Sequence, residues 1–319
     1  MSLSPRLTQL LRDVSAQILD AQRPIRVLRA LAWDESVERA FFAAGGGELP
    51  RPTYQISTAD ITRSLERFRE LQLLVSGDNG VERFLHDTCD SFATAARMLL
   101  AVGTKDFYFH SAELYGRPQS LSVDRKTTNL DLAQHFTQVV DSVVGHVRLP
   151  SPLDEEVFSA EDVVPELQQR FAASFPERGI RVEVVDGMVS KAAARVDVVQ
   201  VKRGARFSRR DLMLLEHHEG DVHLATALNG RAQPVMSFVG FPSPRATGTQ
   251  EGLAVLTEFF TQCTSVDRLR RIADRTLAIK MAEDGASFVE LYRTFRARRH
   301  RPRRHHSQPR GRLQRHLLD

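Results

Sequence analysis

One seven-residue stretch constrains this chain more than any other: His217-His218-Glu219-Gly220-Asp221-Val222-His223. Imidazole and carboxylate groups are the donors zinc prefers, in a tetrahedral set that leaves one position for water when the site is catalytic. The familiar helical version, H-E-x-x-H, sets its histidines four residues apart on one face. Here His218 and His223 are five apart. An ideal α-helix turns about 100° per residue, so the two rings would diverge by about 140°. They reach a common ion only if the helix bulges or unwinds between them. Gly220 tolerates such a distortion, and π-bulges cluster at functional sites. An ordinary surface histidine pair uses the same letters, so the spacing by itself leaves metal binding open.

The flanking text says what this helix packs against. Residues 7–21, LTQLLRDVSAQILDA, space their leucines and isoleucine helically. Gly45 to Gly47 with Pro50 and Pro52 mark a loop. Thr58 is placed to cap a helix whose Ile61, Leu65, Phe68, Leu71 and Val75 form one apolar stripe. The segment 76–80, SGDNG, reads as a turn, followed by helices ending near Gly103 and beginning near Asp131; Pro150 and Pro152 suggest a boundary. Beyond it comes a helix interrupted by Pro165. IRVEVVDG and ARVDVVQVKRG then alternate apolar and polar residues and are rich in β-branched ones, which favours strands. Ser208 is placed to cap the histidine-bearing helix, and Asn229-Gly230 to stop it. A Pro- and Gly-rich loop leads to a helix starting near Thr249, and further helices follow over VDRLRRIADRTLAIKMAEDG and SFVELYRTF. The expectation is an α+β fold, predominantly helical, with an active-site helix on a small sheet. Its parts are a helical region over 1–149, a core over 150–296 and a basic tail over 297–319.

Charge separates the tail from the body. Of 44 basic residues nine are arginines within 296–319, against one of the 40 acids, so the rest carries 35 bases and 39 acids. The pI of 9.3 therefore reflects 24 residues, and nucleic acid is expected only as a non-specific, salt-sensitive partner of the tail, which lacks Phe, Tyr and Trp for base stacking. A like-charge block of this kind is expected to be disordered. The first residues carry charges throughout, which argues against a signal peptide, and no apolar run is long enough to span a membrane. Two cysteines, Cys89 and Cys263, fit a reducing cytoplasm and permit at most one bridge.

Glu251 lies 28 residues after His223, near the start of the next helix. A carboxylate there suits a third metal ligand, and equally a helix N-terminal acid favoured by the macrodipole. Glu258, two turns on, reads as a solvated surface acid, with a place behind the site as the alternative.

The text from Phe207 to Phe259, with Gln250-Glu251-Gly252-Leu253-Ala254 at its centre, resembles the bacterial flavohemoglobin expression-modulating QEGLA-motif proteins. That family is similar to the vertebrate microtubule-associated tyrosine carboxypeptidases, zinc enzymes with an H-E-x-x-x-H helix and a glutamate third ligand. The resemblance implies a zincin-like helix with one Zn²⁺ per chain on His218, His223 and Glu251, and Glu219 as the catalytic acid–base. It implies hydrolysis of a peptide bond, carboxypeptidase-like, at a peptide or protein C-terminus. It is specific over about residues 198–296 and looser before them. His217 matches the doubled histidine of bacterial members without an assigned role, and Asp221 is not carried into the site. Lys202, Arg203, Arg231 and Arg245 lie near the motif as four candidate cations for a substrate carboxylate.

The chain departs from the family after SFVELYRTF, where the Arg-, Pro- and His-rich text replaces the family's further segment. We take this as the hypothesis of a frameshifted or truncated end, with an anion-binding arm as the alternative; an intact downstream frame encoding no family-like segment would remove it. If that segment supplied the cation for the substrate carboxylate, the expectation is a chain that binds zinc yet is a feeble enzyme, which keeps a second function class open: a non-catalytic zinc-binding regulator. A third reading, a helical scaffold with coincidental histidines, expects no stoichiometric metal.

Overall fold

A computed structural model describes residues 4–75, 79–146, 151–188, 190–195 and 197–299. Most of the turn expected over 76–80, Pro150 at the expected boundary, and the tail from residue 300 lie outside the described residues.

The fold is α+β and predominantly helical, 65% helix with one three-stranded mixed sheet. Helix α1 (Pro5–Ala21) begins where the Ser4 hydroxyl accepts the Leu7 amide, and buries Leu11, Val14 and Ile18. Short helices α2 (Val27–Ala30) and α3 (Glu35–Ala43) follow. Helix α4 (Thr58–Leu73) buries the stripe its spacing predicts, Ile61, Leu65, Phe68 and Leu71. Its cap position is Ser57 rather than Thr58, and the Ser57 hydroxyl donates to Asp60 at 2.7 Å. Helix α5 (Gly80–Leu100) starts at Asn79, whose side chain accepts the Val81 and Glu82 amides. It packs on α4 with Phe92 stacked against Phe68, ring centroids 5.1 Å apart. These helices enclose a first core that also takes in Phe238 from the loop after the histidine helix. Helix α6 (Asp106–Tyr115) has no sequence expectation behind it: it buries no residue, so it carries no stripe to read. Helix α7 (Asn129–His146) starts two residues before Asp131.

Helix α8 (Ala160–Ser174) opens on a reciprocal capping pair, Ser159 with Asp162, and runs through Pro165 rather than being interrupted. Strands β1 (Arg181–Val185), β2 (Ala192–Ala194) and β3 (Val198–Lys202) form a sheet in the order β1-β3-β2, with β1 parallel and β2 antiparallel to β3. The period of two sends Val199 and Val201 to one face, where both are fully buried with α8 residues Val163, Leu167 and Phe171. Strand β2 is an edge, with Ala193 opposite Gln200.

The histidine helix is continuous in three parts: α9 (Arg209–Leu214), a π-helical turn pair Leu215–Leu224, and α10 (Ala225–Arg231). Ser208 caps it as expected, paired reciprocally with Asp211. It ends at Arg231, one residue past the Asn229-Gly230 expected to stop it, although Gly230 is not its left-handed cap. Gly230 is instead a close-approach position: a Cβ there would lie 2.3 Å from the Gly240 nitrogen. Helix α11 (Thr247–Phe260) starts two residues before Thr249, and α12 (Val266–Glu283) and α13 (Phe288–Arg299) complete the described chain. Helix α13 carries past SFVELYRTF into the basic run, where Arg298 pairs with Asp274 at 3.0 Å. No helix among the described residues is long and apolar enough to cross a membrane. Cys89 and Cys263 are buried and unbridged.

Candidate metal centre

The distortion required by a five-residue spacing is present, and it is a whole π-helical stretch rather than a single bulge. Hydrogen bonding to the fifth residue back brings positions five apart into the relation that positions four apart hold in an α-helix. The Ala225 amide, for example, donates to the Gly220 carbonyl. The rings of His218 and His223 thus face one another, centroids 5.0 Å apart and inclined at 70°. Gly220 is needed here for space. A Cβ on it would stand 2.6 Å from a ring carbon of buried Phe171 on α8, so the absent side chain lets the π-helical turn lie against that helix.

Glu251 on α11 closes the third side. Its Oε2 is 3.8 Å from His218 Nε2 and its Oε1 is 3.6 Å from His223 Nε2. One donor atom from each of the three residues lies within 4.8 Å of the other two. Tetrahedral bonds of about 2.0–2.1 Å place donors roughly 3.3–3.5 Å apart, so small side-chain adjustments bring this set to zinc distances. His218 is buried, His223 half-buried, and Glu251 is 56% exposed at its side chain, which leaves the approach open on the Glu251 side.

Both imidazoles are held through the nitrogen that faces away from Glu251. His218 Nδ1 meets Glu258 Oε1 at 2.7 Å, and His223 Nδ1 meets Gln250 Oε1 at 3.2 Å. A carboxylate and an amide oxygen accept, so each Nδ1 is placed to donate, and Nε2 of the neutral ring is the nitrogen left to meet a metal on the Glu251 side. The donors, the Nδ1 contacts that orient the two rings and the open side suit a zinc ion. Glu258, read from sequence as a solvated surface acid, is fully buried. Burial alone would push its carboxyl up. Hydrogen bonds from His218 and Arg268, with the Arg268 charge, outweigh burial and hold it below the ordinary glutamate value.

Glu219 follows His218 on the same turn, with Oε2 accepting the Ala194 amide of edge strand β2 at 2.7 Å. That contact ties one carboxylate oxygen to the edge strand. Asp221 is bound to His217, Oδ2 to Nδ1 at 2.7 Å, and His217 thereby has a partner outside the three-residue cluster. Among the named cations, Arg203 pairs with Asp186 and Glu161, Arg245 with Asp87, and Arg231 lies over the Phe241 ring.

Sequence reasoning missed Gln250, Ala194 and Arg268. The first has a local signal, since it precedes Glu251 and shares its helix start. The other two depend on contacts across 25 and 10 residues that no spacing rule encodes.

Residues 39–308 match the family model described as microtubule-associated tyrosine carboxypeptidase. No curated protein and no solved structure matches the chain.

Proposed function

The chain belongs to the microtubule-associated tyrosine carboxypeptidase family, and from that membership we propose that it is a zinc-dependent, carboxypeptidase-like peptidase. The observation that carries the zinc is the meeting of His218, His223 and Glu251, each through one donor atom, with the remaining nitrogen of both rings already engaged. These three residues would hold one ion per chain. Bound there, zinc would activate water as a nucleophile near neutral pH and polarise the scissile carbonyl.

The protein's own groups do the rest. Glu219, with one oxygen fixed by the Ala194 amide, would use the other to take the proton of the attacking water and pass it to the leaving amine. His218 and His223 stay oriented because Glu258 and Gln250 accept from their Nδ1–H groups. The substrate is a peptide or protein C-terminus, as the family's activity suggests. The free, buried cysteines agree with a cytoplasmic setting.

A second reading, a zinc-binding regulator without catalysis, is favoured by one observation: Arg203 and Arg245, two of the four cations considered for the substrate carboxylate, are already paired with carboxylates. Cleavage of a peptide library with and without chelator separates the two. The enzyme reading expects chelator-sensitive release of C-terminal residues, and Glu219→Gln that retains zinc but loses turnover. Equal turnover by Glu219→Gln removes the acid–base role.

A further inference from the structure

Glu258 receives three side-chain hydrogen bonds on its two oxygens. His218 Nδ1 approaches Oε1 at 2.7 Å, Arg268 Nη2 approaches the same oxygen at 2.8 Å, and Arg268 Nε approaches Oε2 at 3.1 Å. The guanidinium therefore grips the carboxylate as a planar fork, the arrangement that fixes orientation as well as distance. Arg268 is itself anchored. Its backbone amide donates to the Ser265 hydroxyl at 3.1 Å, and the Glu258 carbonyl accepts the Cys263 and Thr264 amides at the turn between α11 and α12. Both ends of the fork are tied to one short turn.

We propose that Arg268 is a positioning residue for the metal centre, acting through Glu258 to aim His218 Nε2 at Glu251. The inference rests on the zinc reading above and adds to it a control point on α12, outside the ligand set. Without the guanidinium, two of the three hydrogen bonds on a fully buried carboxylate disappear. The carboxylate is then free to rotate toward other donors, and the His218 ring loses the contact that sets its plane. Partners that orient a ligating histidine change metal affinity by about 10–100-fold when removed.

Zinc affinity, measured by competition with a chromophoric chelator on the full chain, tests this. Arg268→Met should weaken zinc binding about tenfold. Arg268→Lys keeps the charge but cannot form the fork, and should weaken it about threefold. Because the two residues act in series, Arg268→Met placed on Glu258→Gln should add less than about twofold. Asp274→Asn removes another ion pair of the same helix, to Arg298, and should leave affinity unchanged, which separates positioning from general loosening of α12. Wild-type affinity in a folded Arg268→Met or Arg268→Lys, or a full multiplicative loss in the double variant, overturns the inference. If Arg268→Met does not fold, Arg268→Lys decides alone. A wild type that binds no zinc sinks the metal reading, and this inference falls with it.

Discussion

Replacing Gly220 by alanine sets two physical effects against each other at a single position. The added methyl would lie 2.6 Å from Phe171 Cε1 and 3.2 Å from Cδ1, where relaxed carbon contacts are about 3.5–4.0 Å. Phe171 is fully buried among Leu167, Val199, Val201 and Leu215, so its ring or the π-helical turn must retreat by about 1 Å. Overpacking of this kind costs about 1–3 kcal/mol. Helix propensity acts the other way, favouring alanine by about 1 kcal/mol. The net expectation is a loss of about 1 kcal/mol, and because the displaced turn carries both histidines, a weaker hold on zinc. Urea unfolding of the metal-free variants, with zinc competition beside it, measures both. In a Phe171→Leu background the methyl has room, so the same change should become neutral or stabilising, a coupling of about 1 kcal/mol or more. A Gly220→Ala protein at least as stable as wild type, or one whose cost is the same in both backgrounds, would refute the packing explanation for this glycine.

Two further outcomes follow from the buried groups. Glu258 has a folded pKa below its ordinary value of 4.5, so its stabilisation is complete above that value and disappears as pH falls through the lower folded one. The stability gap between wild type and Glu258→Gln, read by thermal unfolding in chelator, should therefore narrow on acidification below about pH 4.5; a gap that widens contradicts the assignment. Burial, with Asp90 adding to it, pushes the Cys89 thiol up to about 12, and burial also raises Cys263. Iodoacetamide at pH 8 should modify neither in the native protein and both after denaturation, and rapid native labelling of either would show that its surroundings open.

What the sequence made legible was whatever local periodicity or spacing records. The stripe of α4 and the alternation of β3 point to their buried faces because helix and strand periods are fixed by backbone geometry. The five-residue step from His218 to His223 demanded a departure from the α-helix, and the π-helical turns supply it. What stayed hidden depends on partners distant in the chain. Glu258 on an amphipathic helix looks solvated until Arg268 of the next helix provides the cation that makes its burial tolerable. Gly230 reads as a helix stop, and the helix does end one residue on, but the contact that requires a glycine there, the backbone of Gly240 pressed against it, lies across a loop. Gly220 suggests backbone tolerance from the sequence, whereas the contact that needs it is the Phe171 ring.

Zinc K-edge X-ray absorption on the reconstituted, desalted protein interrogates the three-residue centre most directly. Near-stoichiometric zinc should show two imidazoles at about 2.0–2.1 Å with oxygen in the remaining positions and no sulfur, and His223→Ala should lose one imidazole or the metal altogether. Zinc well below one per chain, or a wild-type spectrum that His223→Ala leaves unchanged, would place the metal elsewhere and remove the foundation of the proposed peptidase.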